Sequence, residues 1–489
     1  MIKPKHILGF LFAVLFMLAV LAYFFPKEGV KIGNVELTFP SLREFLHPQK
    51  IEYADIDNIV RRQLRVDTTR ADTSAIADTV RADAEVLAAS EYPLEYTDKG
   101  KQSLYNFFRE LETSAQASRP VRIMHYGDSQ IETGRISGFL RQRLQQSFGG
   151  HGPGYLAVKP VAQKLSWFVN PSDEWQRHTL FGKKDTVITH KNYGPAMAVF
   201  RYAPTWNDSI SNDSVWYEGN FSVENSFQGY RNAQRWDNAL LYYGNLNAPV
   251  RITIKDNNDA VIKTDSLTPA SGIQSYVLCD SLMNAFSVHM SGYDSPDVYA
   301  LSLQSNNGVI LDNLPLRGNA GTVFSKVSPA YLHSWFREFN TKLLLFQFGV
   351  NIVQKDREDF SYYEKWIYHQ LTVLKRLNPD MAIIVVGISD MSTKKGTNYV
   401  TYDCIEHIRD AQKNAANRAD VVFWDMYEAM GGENSMPSWV WAEPPLAKKD
   451  FTHFNLKGSR IISNMLYNAI MLEYHDYRKV KNQPDAEKE

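Results

Sequence analysis

Short apolar runs alternating with helix-spaced segments constrain this chain more than any other feature. Residues 343–348 (Gln347 apart), 382–386 and 421–424 are apolar at consecutive positions, as in strands buried on both faces. Between the first two, Tyr363, Trp366, Ile367, Leu371 and Leu374 recur at helical intervals. Further helices are expected over 403–419 and 461–474. An earlier run, 121–126, ends in Gly127-Asp128 and precedes Ile136, Phe139, Leu140 and Leu144 at helical spacing, closed by Gly149-Gly150. Strands alternating with helices predict an α/β fold, a parallel sheet covered on both faces. In such sheets reactive groups gather beyond the carboxyl ends of the strands.

Residues 151–309 interrupt that pattern. Runs such as 196–200, 239–243, 250–254 and 299–303 are short, rich in β-branched and aromatic residues, and separated by turn signals. They predict a β-sandwich inserted into the α/β unit, which takes residues 96–150 and 310–480. A chain of 489 residues accommodates two such units. Trp167, Trp175, Trp206, Trp216 and Trp236 fall in the insert, and large aromatics mostly bury, so at least three are expected in its core. The others are candidates for stacking on sugar faces.

At the N-terminus, Lys3, Lys5 and His6 precede an uncharged run over 7–25 that Pro26 ends. Nineteen such residues in a helix span about 30 Å, enough for a bilayer core. Residues 1–26 therefore read as a cytoplasmic tip and an uncleaved transmembrane anchor in the cytoplasmic membrane, with the remainder outside the cytoplasm. The run ends in Ala22-Tyr23-Phe24-Phe25, without the small residues that favour cleavage of a signal peptide. Residues 27–95 are rich in alternating charge and poor in large apolar residues, and read as a stalk. The net charge is −1, which gives no basis for a nucleic-acid partner. Cys279 and Cys404 are too few for a disulfide framework and read as separate buried thiols.

Ser129 stands where a strand turns into a helix, a position suited to holding an oxyanion on backbone N–H groups. Two further stretches fall on the same sheet edge, Gly349-Val350-Asn351 and Asp450-Phe451-Thr452-His453. A serine nucleophile needs a base within reach and a third group to orient that base; His453 and Asp450 supply the types. Asn351 offers an amide donor, and the stretch from Asp312 to Gly321 a backbone N–H. His125, inside a strand, reads as a packed histidine. No Gly-rich phosphate loop or clustered Cys/His spacing appears, so neither cofactor nor metal is expected.

Gly127-Asp128-Ser129, Gly349-Val350-Asn351 and Asp450-Phe451-Thr452-His453, in this order, resemble the blocks of the SGNH hydrolases, also called GDSL esterases. Gly318, with Gly321 the alternative, stands for that family's isolated glycine block. The resemblance covers about residues 100–150 and 310–475. It implies a three-layer αβα (flavodoxin-like) fold, a Ser129–His453–Asp450 triad, and an oxyanion hole from Ser129, Gly318 and Asn351. Gln130 replaces the family's usual Leu, and Ile352 an Asp; both are expected to alter packing only. With an anchor and a β-rich insert, the likeness is to esterases that remove O-acetyl groups from peptidoglycan or another envelope polysaccharide. Its alternatives are an O-acyltransferase using the same triad, with a membrane-bound O-acyltransferase as partner, and a non-catalytic glycan-binding or assembly protein.

Overall fold

The computed structural model describes residues 3–26, 29–32, 35–37, 39, 41, 51–68, 92–206, 215–355, 357–396 and 398–482. Five strands form a parallel sheet: β1 (Val121–Gly127), β2 (Val309–Pro315), β3 (Thr341–Gln347), β4 (Ala382–Val386) and β5 (Val422–Trp424), in the order β2-β1-β3-β4-β5. From β1 the chain crosses to β2 on one side and then to β3 on the other. That reversal is a topological switch point, where open α/β sheets leave a crevice beyond their carboxyl ends.

Helix α1 (Pro4–Phe24) is set apart at the N-terminus, and the sheet is buried on both faces by α2 (Asp98–Thr113), α3 (Arg135–Phe148), α4 (Ser361–Leu377), α5 (Ile405–Arg418) and α6 (Leu456–Asn482). Ile123, Leu345 and Ile384 pack towards α2, α3 and α6, while Met124, Phe346 and Val385 pack towards α4 and α5. Each such side chain contributes about 1.5–3 kcal/mol on leaving water, which explains the uninterrupted apolar runs. This is the three-layer αβα arrangement of the SGNH hydrolases. Helix α1 is the one helix among the described residues long and apolar enough to cross a membrane, and none of it is buried by the rest of the chain.

Between α3 and β2 lies the inserted β-sandwich. One antiparallel sheet runs Val261–Leu267, Val250–Asp256, Ala285–Gly292, Tyr217–Asn225, Trp167–Pro171. The other runs Gln274–Cys279, Asn238–Gly244, Asp297–Gln304, Ala198–Arg201, Gln176–Thr179, with Gly154–Leu156 also paired to Asp297–Gln304. Trp167, Trp175 and Trp236 are buried between the sheets, and Trp216 is exposed. Cys279 and Cys404 are buried and unpaired. Val309, placed in the insert from sequence, is instead the first residue of β2.

The sandwich does not swing on a tether. Tyr155, Tyr242 and Tyr299 from it share one core with Trp335 and Phe339 of the α/β unit. Arg122 in β1 pairs with Asp312 in β2 at 2.8 Å and donates to Ser302 of the insert at 2.7 Å. Asp312 in turn accepts the Tyr155 N–H at 2.8 Å.

The stalk expectation needs correction where it can be followed. Residues 51–63 lie against the α/β unit: Ile56 is buried, Gln63 accepts the Asn464 side-chain amide at 2.7 Å, and Ser438 donates to the Ala54 carbonyl at 2.7 Å. Ile56, Ile59 and Val60 pack together on this core; three apolar residues close in sequence are enough to dock a helical turn. Glu95 bridges Phe423 at the β5 edge. Residues 69–91 of the expected stalk fall outside the described residues.

Candidate active site

β1 delivers Ser129 to the switch point. Gly127 is required there by close approach: a Cβ would stand 2.8 Å from the Gln347 carbonyl oxygen and 3.0 Å from Ile131. Asp128 follows, buried, donating its N–H to the Gln347 carbonyl at 3.2 Å. Its carboxylate accepts the N–H of Gln130 at 2.9 Å and those of Gly349 and Val350. Burial raises its pKa to about 7 against the pull of those three donors. Asp128 thus fixes the Gly349–Asn351 loop relative to Ser129.

The Ser129 hydroxyl donates to Nε2 of His453 at 2.8 Å. Nδ1 of His453 donates to Oδ2 of Asp450 at 2.9 Å. Oδ1 of Asp450 accepts the N–H groups of Thr452 and His453, each at 3.0 Å. A carboxylate only accepts, so the Asp450 contact assigns the proton to Nδ1 and leaves the Nε2 lone pair facing Ser129. Burial acts to raise the Asp450 pKa, but the His453 and Thr452 bonds outweigh it and hold it below the usual carboxylate range.

The loop that presents His453 is braced from below. Phe451 has a left-handed φ of 52° and its ring lies flat on Tyr399 at 3.6 Å between centroids. Tyr399 belongs to a hairpin, Ser392–Lys395 and Asn398–Thr401, not foreseen from sequence. Lys448 N–H to the His453 carbonyl, 2.8 Å, closes the loop.

Two more residues join the nucleophile turn to that loop. Gln130 donates through Nε2 to the Thr452 carbonyl at 2.6 Å and to Ser389 Oγ at 3.1 Å. Arg135 donates to the carbonyls of Ser129 at 2.6 Å, Glu132 at 3.1 Å and Phe454 at 3.2 Å. The expectation that Gln130 only alters packing is therefore corrected: it is a hydrogen-bonded brace. Arg135 had no signal beyond its place at the start of a helix.

Asn351 is exposed at this edge and donates through Nδ2 to the Asn319 carbonyl at 3.1 Å. Gly318, one residue earlier, has φ 79° with open space on its Cβ side. Gly321 differs: its N–H donates to Asn319 Oδ1 at 2.7 Å, and a Cβ would stand 2.5 Å from the Phe346 ring. His125 lies away from the relay, buried between Gln347 Oε1 and the Ser137 hydroxyl, each at 2.9 Å. Burial lowers its pKa to about 4, against the Gln347 bond, so the ring is neutral near pH 7.

The serine–histidine–aspartate relay thus stands at the switch point of a three-layer sheet of SGNH-like fold. In structural comparison the chain is similar to a peptidoglycan O-acetylesterase, with 18% identity over 78% of this chain and 99% of that one, at a TM-score of 0.58. That likeness establishes the shared fold. Much looser similarities, at TM-scores of 0.25 and 0.19, are to a GDSL-like lipase from Parabacteroides merdae and a family two carbohydrate esterase from Cellvibrio japonicus. The first is 16% identical over 34% of this chain and 74% of that one; the second is 10% identical over 51% and 88%. No protein-family model and no curated protein matches the sequence.

Proposed function

We propose that this chain is a membrane-anchored, exported serine esterase that removes O-acyl groups, acetyl foremost, from a cell-envelope polysaccharide. The hydrogen-bonded relay Ser129–His453–Asp450 carries this reading. Ser129 Oγ attacks the ester carbonyl as its proton passes to Nε2 of His453. The ring, held in one tautomer by Asp450, then protonates the leaving sugar oxygen. The N–H groups of Ser129 and Gly318 and the Asn351 amide hold the tetrahedral oxyanion; removing one such donor typically costs about a hundredfold in rate. Gly318 suits the role better than Gly321, whose N–H is already bound by Asn319. Water, activated by His453, releases the acid.

The basic tip before α1 and the lack of a small-residue cleavage pattern support an anchor that keeps the α/β unit outside the cytoplasm. The insert, fused to the catalytic layer, serves as the glycan-binding wall. The full chain in detergent, given O-acetylated peptidoglycan, is expected to release acetate, and Ser129→Ala to lose at least about a thousandfold of that rate. Acetyl passed to an oligosaccharide acceptor without acetate release would make the same relay a transferase. A folded chain inert on acetylated glycans and aryl acetates alike would leave only a glycan-binding protein.

A further inference from the structure

A cleft of about 210 Å³ lies between the nucleophile turn and the insert. Glu132 and Thr133, from the turn that begins at Ser129, and Arg317, next to Gly318, form one side; Lys164 and Arg177 of the insert form the other. The Leu165 N–H reaches the Thr133 carbonyl at 3.4 Å, so the wall carrying Lys164 is tied to the turn carrying Ser129.

The charge of the cleft is lopsided. Three cations, Lys164, Arg177 and Arg317, line it with one carboxylate, Glu132, in a chain whose net charge is −1. Arg317 takes that carboxylate, 3.7 Å away. Lys164 donates to the carbonyls of Tyr155 and Asn313, and the Arg177 guanidinium lies 5.9 Å from the Phe181 ring centre. Neither has a carboxylate partner among the described residues. Burial lowers the Lys164 pKa to about 7, with Arg141 adding to the effect and Asp312 opposing it. It lowers that of Arg177 too, against Tyr155. Partly dehydrated cations lacking a protein counter-ion are costly unless a ligand supplies the opposite charge.

We propose that this cleft binds an oxyanion, carboxylate or phosphate, carried by the glycan whose ester lies at Ser129, so that acidic acylated glycans are preferred over neutral ones. The inference rests on the esterase reading for what lies at Ser129, but not for the binding itself. Lys164 supplies a point charge, and Arg177 a planar fork that matches a two-oxygen face.

Binding is measured by calorimetry on the full-length Ser129→Ala chain in detergent, with trigalacturonate, glucose 6-phosphate and neutral xylotriose as probes. Saturable binding of either acidic probe, weakened about tenfold or more by Arg177→Gln or Lys164→Gln, is expected, with xylotriose unaffected by either change. Which acidic probe binds more tightly identifies the anion. Equal binding of acidic and neutral probes, binding of none, or indifference to both substitutions in folded protein would overturn the proposal. With wild-type Ser129, the ratio of kcat/KM for acetylated oligogalacturonide over acetylated xylo-oligosaccharide is expected to fall about tenfold in Arg177→Gln. Acidic binding without turnover would remove the esterase and keep the cleft; turnover without charge preference would do the reverse.

Discussion

Nη2 of Arg135 lies 2.6 Å from the carbonyl oxygen of Ser129, and Nη1 of the same guanidinium lies 3.2 Å from that of Phe454. One buried fork therefore holds the nucleophile turn and the residue after His453, which are more than three hundred positions apart. Gln130 makes a second tie, to the Thr452 carbonyl. The Ser129–His453 distance is set by these braces as much as by the relay itself.

Gln130→Leu, which removes both side-chain donors while keeping the bulk, is expected to lower kcat about tenfold or more with KM little changed. Arg135→Lys, with a single point of contact in place of a fork, should lose more and should also lower the unfolding midpoint. Steady-state kinetics on an aryl acetate, with thermal unfolding alongside, checks both. A fall in stability with kcat intact would make these residues structural only.

Asp450→Asn tests the tautomer. The N–H groups of Thr452 and His453 keep the amide oxygen on the Oδ1 side, which turns the amide NH2 towards Nδ1 of His453. The ring must then carry its proton on Nε2, facing Ser129, and cannot act as base. A loss of about 10³- to 10⁴-fold in kcat is expected, with folding retained. Asp450 has a lowered pKa, so its share of stability is present above the ordinary carboxylate range and lost only as pH falls through the lower, folded value. Activity lost through Asp450 should therefore appear only in acid.

His125 gives a pH dependence of stability unrelated to catalysis. Its folded pKa of about 4 lies below the free value, so between roughly pH 6.5 and 4 the unfolded chain binds the extra proton. Its contribution is full above that window and falls as pH drops through it, by up to about 3 kcal/mol. Buried Asp128 and Asp390, each raised to about 7, act in the opposite sense. The comparison is therefore wild type against His125→Gln: denaturant unfolding should show a shallower loss on acidification in the variant. Parallel curves would contradict this.

Much of the scaffold was legible because it is written locally. Consecutive apolar residues at 343–346 and 382–386 can scarcely be other than buried strands, and helical spacing marked α3 and α4. Ser129 was readable because it follows the end of a strand, and Asp450 and His453 because they form a short block directly before the last helix. What escaped depends on contacts distant in sequence. Gln130 and Arg135 gain their meaning from the carbonyls of Thr452 and Phe454, and Phe451 from the face of Tyr399. Residues 51–63 looked too sparse in large apolar groups to dock, yet Ile56 and Gln63 find partners on the α/β unit. The tyrosines that fuse the insert to the catalytic layer lie on strands whose outer face looked no different from a sandwich surface.

The acyl-enzyme on Ser129 is the most direct test of the relay. The full chain is mixed with 4-nitrophenyl acetate, quenched in acid within the first turnovers, digested and weighed by mass spectrometry. One acetyl group is predicted on the peptide carrying Ser129, accumulating with the burst of nitrophenol, and absent from Ser129→Ala. Turnover at an undiminished rate in Ser129→Ala, or acetyl found only on other residues, would contradict it.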